Sequence, residues 1–202
     1  MNNTLKSLVL LITLLAGCAA FGVPYTSDPE EKINYAKQLL EINRPVPADR
    51  LLTDAVEIYT RENNKQGLAQ TYLVYAFFLT SKPLEDDLWR SAYEKRGFLD
   101  KTPYSKRYEA AIEYTEKAAH LYESDGDYDG ALSAYMSMGH TYKQVVKNNS
   151  KACDAYKKAL LAYKARKEKR DLYIQPFDQN RKLFKINEDV IKRWMNDLEG
   201  CK

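Results

Sequence analysis

The chain has 202 residues, of which 45% are hydrophobic and 29% are charged, with 8 Gly and 7 Pro. This is the composition of an ordinary globular protein, and it excludes a chain too polar to bury a core. The formal net charge is only +3, but residues 143–202 hold 16 basic and 8 acidic residues, whereas residues 1–142 hold 15 and 20. The basic part can contact an acidic partner or anionic lipid headgroups, or it can be a solvated helix face.

The first element is a short apolar segment near the amino terminus. Leu8 to Leu15 is an eight-residue apolar run interrupted only by Thr13, and one cation, Lys6, precedes it. A membrane-spanning helix needs about 20 apolar residues, so this run is too short to cross a bilayer. It predicts a signal peptide over residues 1–17.

The run ends in Leu15-Ala16-Gly17-Cys18, which resembles the lipobox of bacterial lipoproteins. The resemblance implies that Cys18 is acylated and becomes the first mature residue, and that residues 18–28 form a lipidated tether. Two or more acyl chains anchor a protein stably to a membrane. In that family Ala19, which is not Asp, implies the outer membrane of a Gram-negative cell, with the body facing the periplasm. The alternative is an ordinary signal peptide cleaved near Ala19 or Ala20.

Three amphipathic helices are predicted before residue 81. The first begins at Asp28-Pro29, where an Asp cap precedes a proline in the first turn, and ends before Pro45. The second begins near Ala48 and ends at Asn63-Asn64, and the third covers about residues 65–80. Their apolar residues recur at three- and four-residue steps, so each helix buries one face.

Residues 81–103 are predicted to be an insertion between two helices of one structural repeat. The segment contains Pro83, Gly97 and Pro103, and a clear helix resumes at residues 108–122. We equate Ala55 with Ala111 in successive repeats, and the insertion then accounts for the long interval between them.

Residues 128–163 predict a pair of antiparallel helices. The first carries Tyr135, Met138, Gly139 and Tyr142, and the second carries Ala152, Tyr156, Ala159 and Tyr163. The pattern resembles a tetratricopeptide repeat, with Tyr135, Met138 and Tyr156 in place of the usual Trp, Leu and Phe. The resemblance implies an all-α solenoid of about three helical hairpin repeats over residues 29–175, followed by a capping helix within residues 176–202.

Two cysteines remain besides Cys18, namely Cys153 and Cys201. An even number in an oxidising compartment allows a disulfide between them. The alternative is a buried thiol at Cys153 and a frayed end at Cys201.

No constellation in the sequence predicts catalysis or a cofactor. Residues 125–130 match the first part of a calcium loop, but Met136 stands where the bidentate Glu is required, so a turn with Asp127 or Asp129 as helix cap is favoured. His120 and His140 have no second ligand at zinc spacing. We therefore expect no metal, no cofactor and no enzyme activity.

A concave surface of stacked repeats predicts a protein-binding groove. Its predicted residues are Gln70, Leu73, Phe77, Ser133, Met136, His140 and Lys143. Alternatively, Leu73, Phe77 and Met136 belong to the core.

The predicted function is a lipid-anchored binding module for another protein, acting as a scaffold or assembly factor of an envelope complex. The predicted partner is a helix, a peptide or the face of a globular protein, and no nucleic acid. One alternative is an immunity lipoprotein that neutralises a toxin, such as a secreted lipase. A third is an envelope hydrolase that uses residues 81–103 as a lid.

Overall fold

The computed structural model describes residues 23–169, 187–198 and 200–201, so the predicted signal peptide and Cys18 lie outside the described residues. Its elements are α1 (Pro29–Glu41), α2 (Pro45–Arg61), α3 (Lys65–Leu79), α4 (Asp87–Arg96), α5 (Arg107–Asp125), α6 (Tyr128–His140), α7 (Asn149–Lys169) and α8 (Glu188–Asn196). Short 3-10 helices cover Lys82–Glu85 and Tyr104–Lys106, and a π-helix covers Thr141–Val146. The all-α prediction is confirmed.

The helices form three hairpins stacked in a row. Helix α1 packs on α2, α3 packs on α5, and α6 packs on α7, while the contacts of α2 with α3 and of α5 with α6 join successive hairpins. Helix α8 covers the last hairpin by packing on α7. This is the predicted arrangement of helical repeats with a carboxyl-terminal capping helix. Among the described residues, no helix has the length and apolar composition of a membrane-spanning segment.

Polar residues at the helix starts explain where these elements begin. The side chains of Asp28, Asn64, Asp127 and Asn187 accept hydrogen bonds from backbone amides in the first turns of α1, α3, α6 and α8, respectively. Helix α2 is different, because it begins at Pro45, three residues before the predicted start. Proline is favoured in a first helical turn, where its missing N–H has no intrahelical partner to lose.

Tyrosine and glycine fix the stacking between hairpins. A Cβ atom on Gly67 would overlap the Tyr59 ring, and one on Gly130 would overlap the Tyr122 ring. Both pairs are therefore the same contact in successive repeats, 63 residues apart along the chain. This register equates Ala55 with Ala118, so the predicted match of Ala55 to Ala111 is wrong by seven residues, or two helical turns.

The predicted insertion is part of the core and not a loose loop. Helices α3 and α5 pack directly on each other although residues 80–106 separate them. Residues of the insertion fill the space beside them, as Tyr93 and Phe98 stack with ring centroids 4.4 Å apart and both are buried. The insertion therefore lengthens the connection of the second hairpin and adds to its core, while α3 and α5 stay paired.

Helix α8 is held to the last hairpin by apolar contacts and by a disulfide. Ile191 is buried, and the Trp194 ring lies 5.7 Å from the Tyr156 ring. The structure joins Cys153 to Cys201 in a disulfide, with a Cα–Cα distance of 5.6 Å. A cross-link of this kind disfavours the unfolded chain and keeps α8 beside α7.

Candidate functional site

The predicted groove residues do not form one open surface. Leu73 and Met136 are each only 5% exposed and belong to the core between the second and third hairpins, so their assignment to an open groove is wrong. Phe77 is 53% exposed, and Gln70 and Ser133 are half-buried. The predicted groove residues lie on α3 and on α6 with its π-helical continuation, which are the first helices of the second and third hairpins. This first-helix face offers one exposed aromatic side chain with polar neighbours, because its other apolar residues pack between helices.

The carboxyl-terminal end of that face borders on α8. The His140 ring lies 6.5 Å from the Trp194 ring, and the Lys143 ammonium lies 3.9 Å from the Asp197 carboxylate. Burial, together with the positive charge of Lys143, lowers the pKa of His140 and favours its neutral form. These two predicted groove residues thus lie beside the capping helix, and the His140 side chain remains exposed.

The structure shows a second concavity, formed where α6 changes into the π-helix Thr141–Val146. This segment ends at Lys147, which has a left-handed backbone conformation, and the Asn148 amide donates to the Tyr142 carbonyl. The wider π turn places Tyr142 and Val146 in the gap between α5 and α7. Turns of this type are rare and are frequently found at functional sites.

We call the gap between α5 and α7 the trough. Its larger part has a volume of about 440 Å³, and its smaller part, which shares Tyr142 and Lys151, has a volume of about 180 Å³. The larger part is lined mainly by Tyr108, Glu109, Ile112, Tyr142, Val146 and Lys151. Small-ligand pockets have volumes of about 300 to 1,000 Å³, so the larger part can take one or two side chains of a partner.

Neighbouring side chains hold the aromatic wall of the trough in place. The Arg107 guanidinium lies 3.9 Å from the centre of the Tyr108 ring, and the Tyr108 hydroxyl donates to Glu85 at 3.5 Å. Burial raises the pKa of Tyr108 and also that of Tyr142, where Glu116 adds to the effect. Both phenols are therefore neutral at physiological pH, and the Tyr142 hydroxyl is able to donate a hydrogen bond to a ligand.

Ion pairs neutralise both glutamates of the trough. Glu109 pairs with Lys106 at 3.3 Å, and Glu116 pairs with Lys158 at 3.6 Å. Lys151 lies 5.6 Å from the centre of the Tyr142 ring and pairs with no carboxylate among the described residues. Asp154 also lines the smaller part, so the charged residues of the trough, three acidic and two basic, carry no net positive charge.

Asp49 is a buried carboxylate, but its contacts are structural. It accepts hydrogen bonds from the Tyr75 hydroxyl at 2.6 Å and from the Leu99 amide at 3.2 Å, and it thereby ties the insertion to α2 and α3. Burial raises its pKa to about 6 against the opposing effect of these bonds. Because Asp49 is fully buried and is used by the fold, it does not form an accessible site.

The calcium-like segment 125–130 forms the turn between α5 and α6. Gly126 has the left-handed conformation that ends α5, and the Asp127 side chain accepts hydrogen bonds from the Asp129 and Gly130 amides. Asp129 pairs instead with Arg166 at 3.0 Å. Across the described ranges, no three His, Cys, Asp or Glu side chains are grouped as metal ligands.

Sequence reasoning missed the trough because the groove was sought on the first helix of each pair. Tyr108 and Ile112 are four residues apart on α5, and this spacing was available as a signal of a shared face. The π turn that supplies Tyr142 and Val146 has no comparable sequence signature.

The fold places this chain among all-α helical-repeat proteins. No protein-family model matches it, and no curated protein matches it either.

Proposed function

We propose that this chain is a lipid-anchored protein of the bacterial outer membrane whose periplasmic body binds a segment of another protein. The trough is the binding site. The proposed role is that of a scaffold or assembly factor in an envelope complex. It includes no chemical reaction, no metal and no cofactor.

The observation that carries the proposal is the open, aromatic trough beside the π-helix. Val146 is 40% exposed there, next to Ile112 and Tyr142. Protein interfaces combine an apolar centre rich in Tyr with a polar rim, and this trough has the same composition.

The disulfide supports the exported location. Cys153 and Cys201 are the two cysteines left after Cys18, and they are bonded to each other. Disulfides persist in oxidising compartments such as the periplasm and are rare in the cytosol. This agrees with the lipobox resemblance of residues 15–18.

Site-specific photo-crosslinking in cells tests the binding site. A photoreactive amino acid at Val146 should give a discrete protein adduct, whereas the same group at Arg50, an exposed position on α2, should give none. Equal adducts at both positions, or none at Val146, would refute the trough as the site.

Acyl labelling in cells tests the anchor separately. The wild-type chain should take up a radiolabelled fatty acid and sediment with the outer membrane, and Cys18→Ser should abolish both. Incorporation that persists in Cys18→Ser would refute the lipidation site.

A further inference from the structure

We propose that the turn formed by residues 99–102, which follows α4, covers the buried carboxyl of Asp49 and separates from it when that carboxyl ionises. We call these residues the cover turn. The proposal is independent of the trough, because Asp49 lies on α2 and the trough lies between α5 and α7. Its support comes from the surroundings of Asp49, from a second carboxylate in the turn and from the weak attachment of the turn.

Asp49 is a fully buried acid whose hydrogen-bond donors are neutral. It accepts from the Tyr75 hydroxyl of α3 and from the Leu99 amide of the cover turn, and it forms no ion pair with any of the described residues. Burial without a paired cation disfavours the charged form of a carboxyl group. Burial accordingly raises the pKa of Asp49 to about 6; the charge of Asp100 acts in the same direction, and the two hydrogen bonds and the Arg96 charge act against it.

A second polar group beside Asp49 is also poorly satisfied. The Tyr93 side chain of α4 is fully buried, and its hydroxyl has no hydrogen-bond partner among the described residues. Burial and the charge of Asp49 raise the pKa of Tyr93, while the Arg96 guanidinium, which lies 4.5 Å from the centre of the ring, lowers it. Water that reaches Asp49 can also bond to this hydroxyl, so opening relieves the cost of an unsatisfied buried donor.

The cover turn carries a second carboxylate, that of Asp100. It accepts hydrogen bonds from the Tyr114 hydroxyl of α5 at 2.6 Å and from the Thr102 hydroxyl at 2.8 Å. When Asp49 ionises, its negative charge is added next to that of Asp100. Like charges repel, and this repulsion acts between α2 and the cover turn, so it favours separation of the turn without separation of α2 from α3.

The cover turn is weakly attached to the rest of the protein. The Leu99 side chain is 49% exposed, and Lys101 is exposed and has a φ of 72°, a left-handed conformation that is uncommon for residues other than glycine. Phe98, which precedes the turn, is buried and can stay in the core while residues 99–102 move. Segments with few buried apolar contacts open at a lower free energy than core helices.

The direction of the pH dependence follows from the two states of the turn. In the closed state Asp49 keeps its proton up to about pH 6, whereas in the open state the carboxyl is hydrated and has its ordinary pKa of 3.8. The equilibrium constant for opening therefore rises by about tenfold between pH 5 and pH 7.5, and it is level above about pH 7. Mild acid thus closes the surface at residues 99–102.

Hydrogen exchange of the Leu99 amide, followed by NMR and corrected for the intrinsic exchange rate, measures this opening. The opening constant should rise by about tenfold between pH 5 and pH 7.5 in the wild type and by less than about twofold in Asp49→Asn, which does not ionise. Asp100→Asn should reduce the rise, because it removes the repulsion between the two carboxylates. Glu57→Gln is the matched control, because it removes a carboxylate from an exposed position on the same helix, and it should leave the rise unchanged.

Low concentrations of urea separate local opening from global unfolding. Exchange of the Leu99 amide should be insensitive to urea, because the cover turn exposes little surface when it opens. Exchange of the Val74 amide, in the buried part of α3, should be slower and should accelerate with urea.

Three results would overturn the proposal. The opening constant of the wild type is level across this pH range or rises equally in Asp49→Asn; Leu99 and Val74 exchange at the same rate with the same dependence on urea, so that the turn opens only by global unfolding; or the Leu99 amide is unprotected already at pH 5. None of these results bears on the trough, which crosslinking at Val146 tests separately.

Discussion

The contact of Gly139 with Tyr156 gives the sharpest test of how the last hairpin is packed. A Cβ atom added at Gly139 would lie against the Tyr156 ring, well inside the 3.4–4 Å of ordinary van der Waals contact. Tyr156 is only 1% exposed, and its ring also meets Trp194. The ring therefore has no free space to move into, and Gly139→Ala must shift α6 relative to α7.

The expected cost follows from two opposing effects. Overpacking a dense core costs about 1 to 3 kcal/mol, and the fixed Tyr156 ring favours the upper end of that range. Alanine in a helix interior is favoured over glycine by about 1 kcal/mol, which offsets part of the cost. We expect a net loss of about 2 kcal/mol for Gly139→Ala, or a fall of about 4 to 8 °C in Tm for a chain of this size.

Denaturant unfolding under non-reducing conditions measures this loss. Ser137→Ala is the matched control, because Ser137 is exposed on the same helix and should change stability by no more than about 0.5 kcal/mol. In a Tyr156→Leu background the ring is absent, and Gly139→Ala should then be neutral or stabilising. If Gly139→Ala destabilises both backgrounds equally, or stabilises the wild type, the Tyr156 ring does not limit how closely α6 approaches α7.

Two further predictions concern pH and the disulfide. Burial raises the pKa of Asp49 from 3.8 to about 6, so the folded chain keeps a proton that the unfolded chain releases, and stability falls as pH rises through this window. Between pH 4 and 7 the free energy of unfolding of the wild type should fall by about 2 kcal/mol relative to that of Asp49→Asn, and parallel pH curves would contradict the raised pKa. The disulfide spans a sequence separation of 48 residues, and Cys201→Ser should cost up to about 4 kcal/mol. In a Trp89→Phe background the Trp194 fluorescence should shift to longer wavelength as α8 separates from α7, and an unchanged spectrum would show that apolar contacts alone hold α8.

Much of the fold could be predicted because helix formation and helix ends depend on residues that are close together in the sequence. Apolar residues at three- and four-residue steps identified the helices, and Asp28 marked the start of α1 in the sequence as it does in the structure. The calcium-like segment was recognised as a turn because Met136 lacks the required carboxylate. These conclusions depend only on residues within a few turns of one another.

The alignment of repeats was less accessible to sequence reasoning. Ala55 precedes one tyrosine by four residues, and Ala111 lies in a helix with several equivalent alanine steps, so the pattern alone allowed a shift of two turns. The contacts of Tyr59 with Gly67 and of Tyr122 with Gly130 remove that ambiguity. Such contacts join different helices, and no single helix contains the information.

The sequence by itself determined that this chain forms amphipathic helices, where most of them begin, and that small residues permit close hairpins. Only the tertiary structure decided which apolar side chains face solvent, because Leu73 and Met136 are buried by neighbouring helices while Phe77 and Val146 are not. The tertiary structure also determined where the trough forms, because the trough depends on a π turn and on the distance between α5 and α7. The helical geometry fixes the direction of each side chain locally. Whether that side chain is buried or exposed depends on which other helices pack beside it.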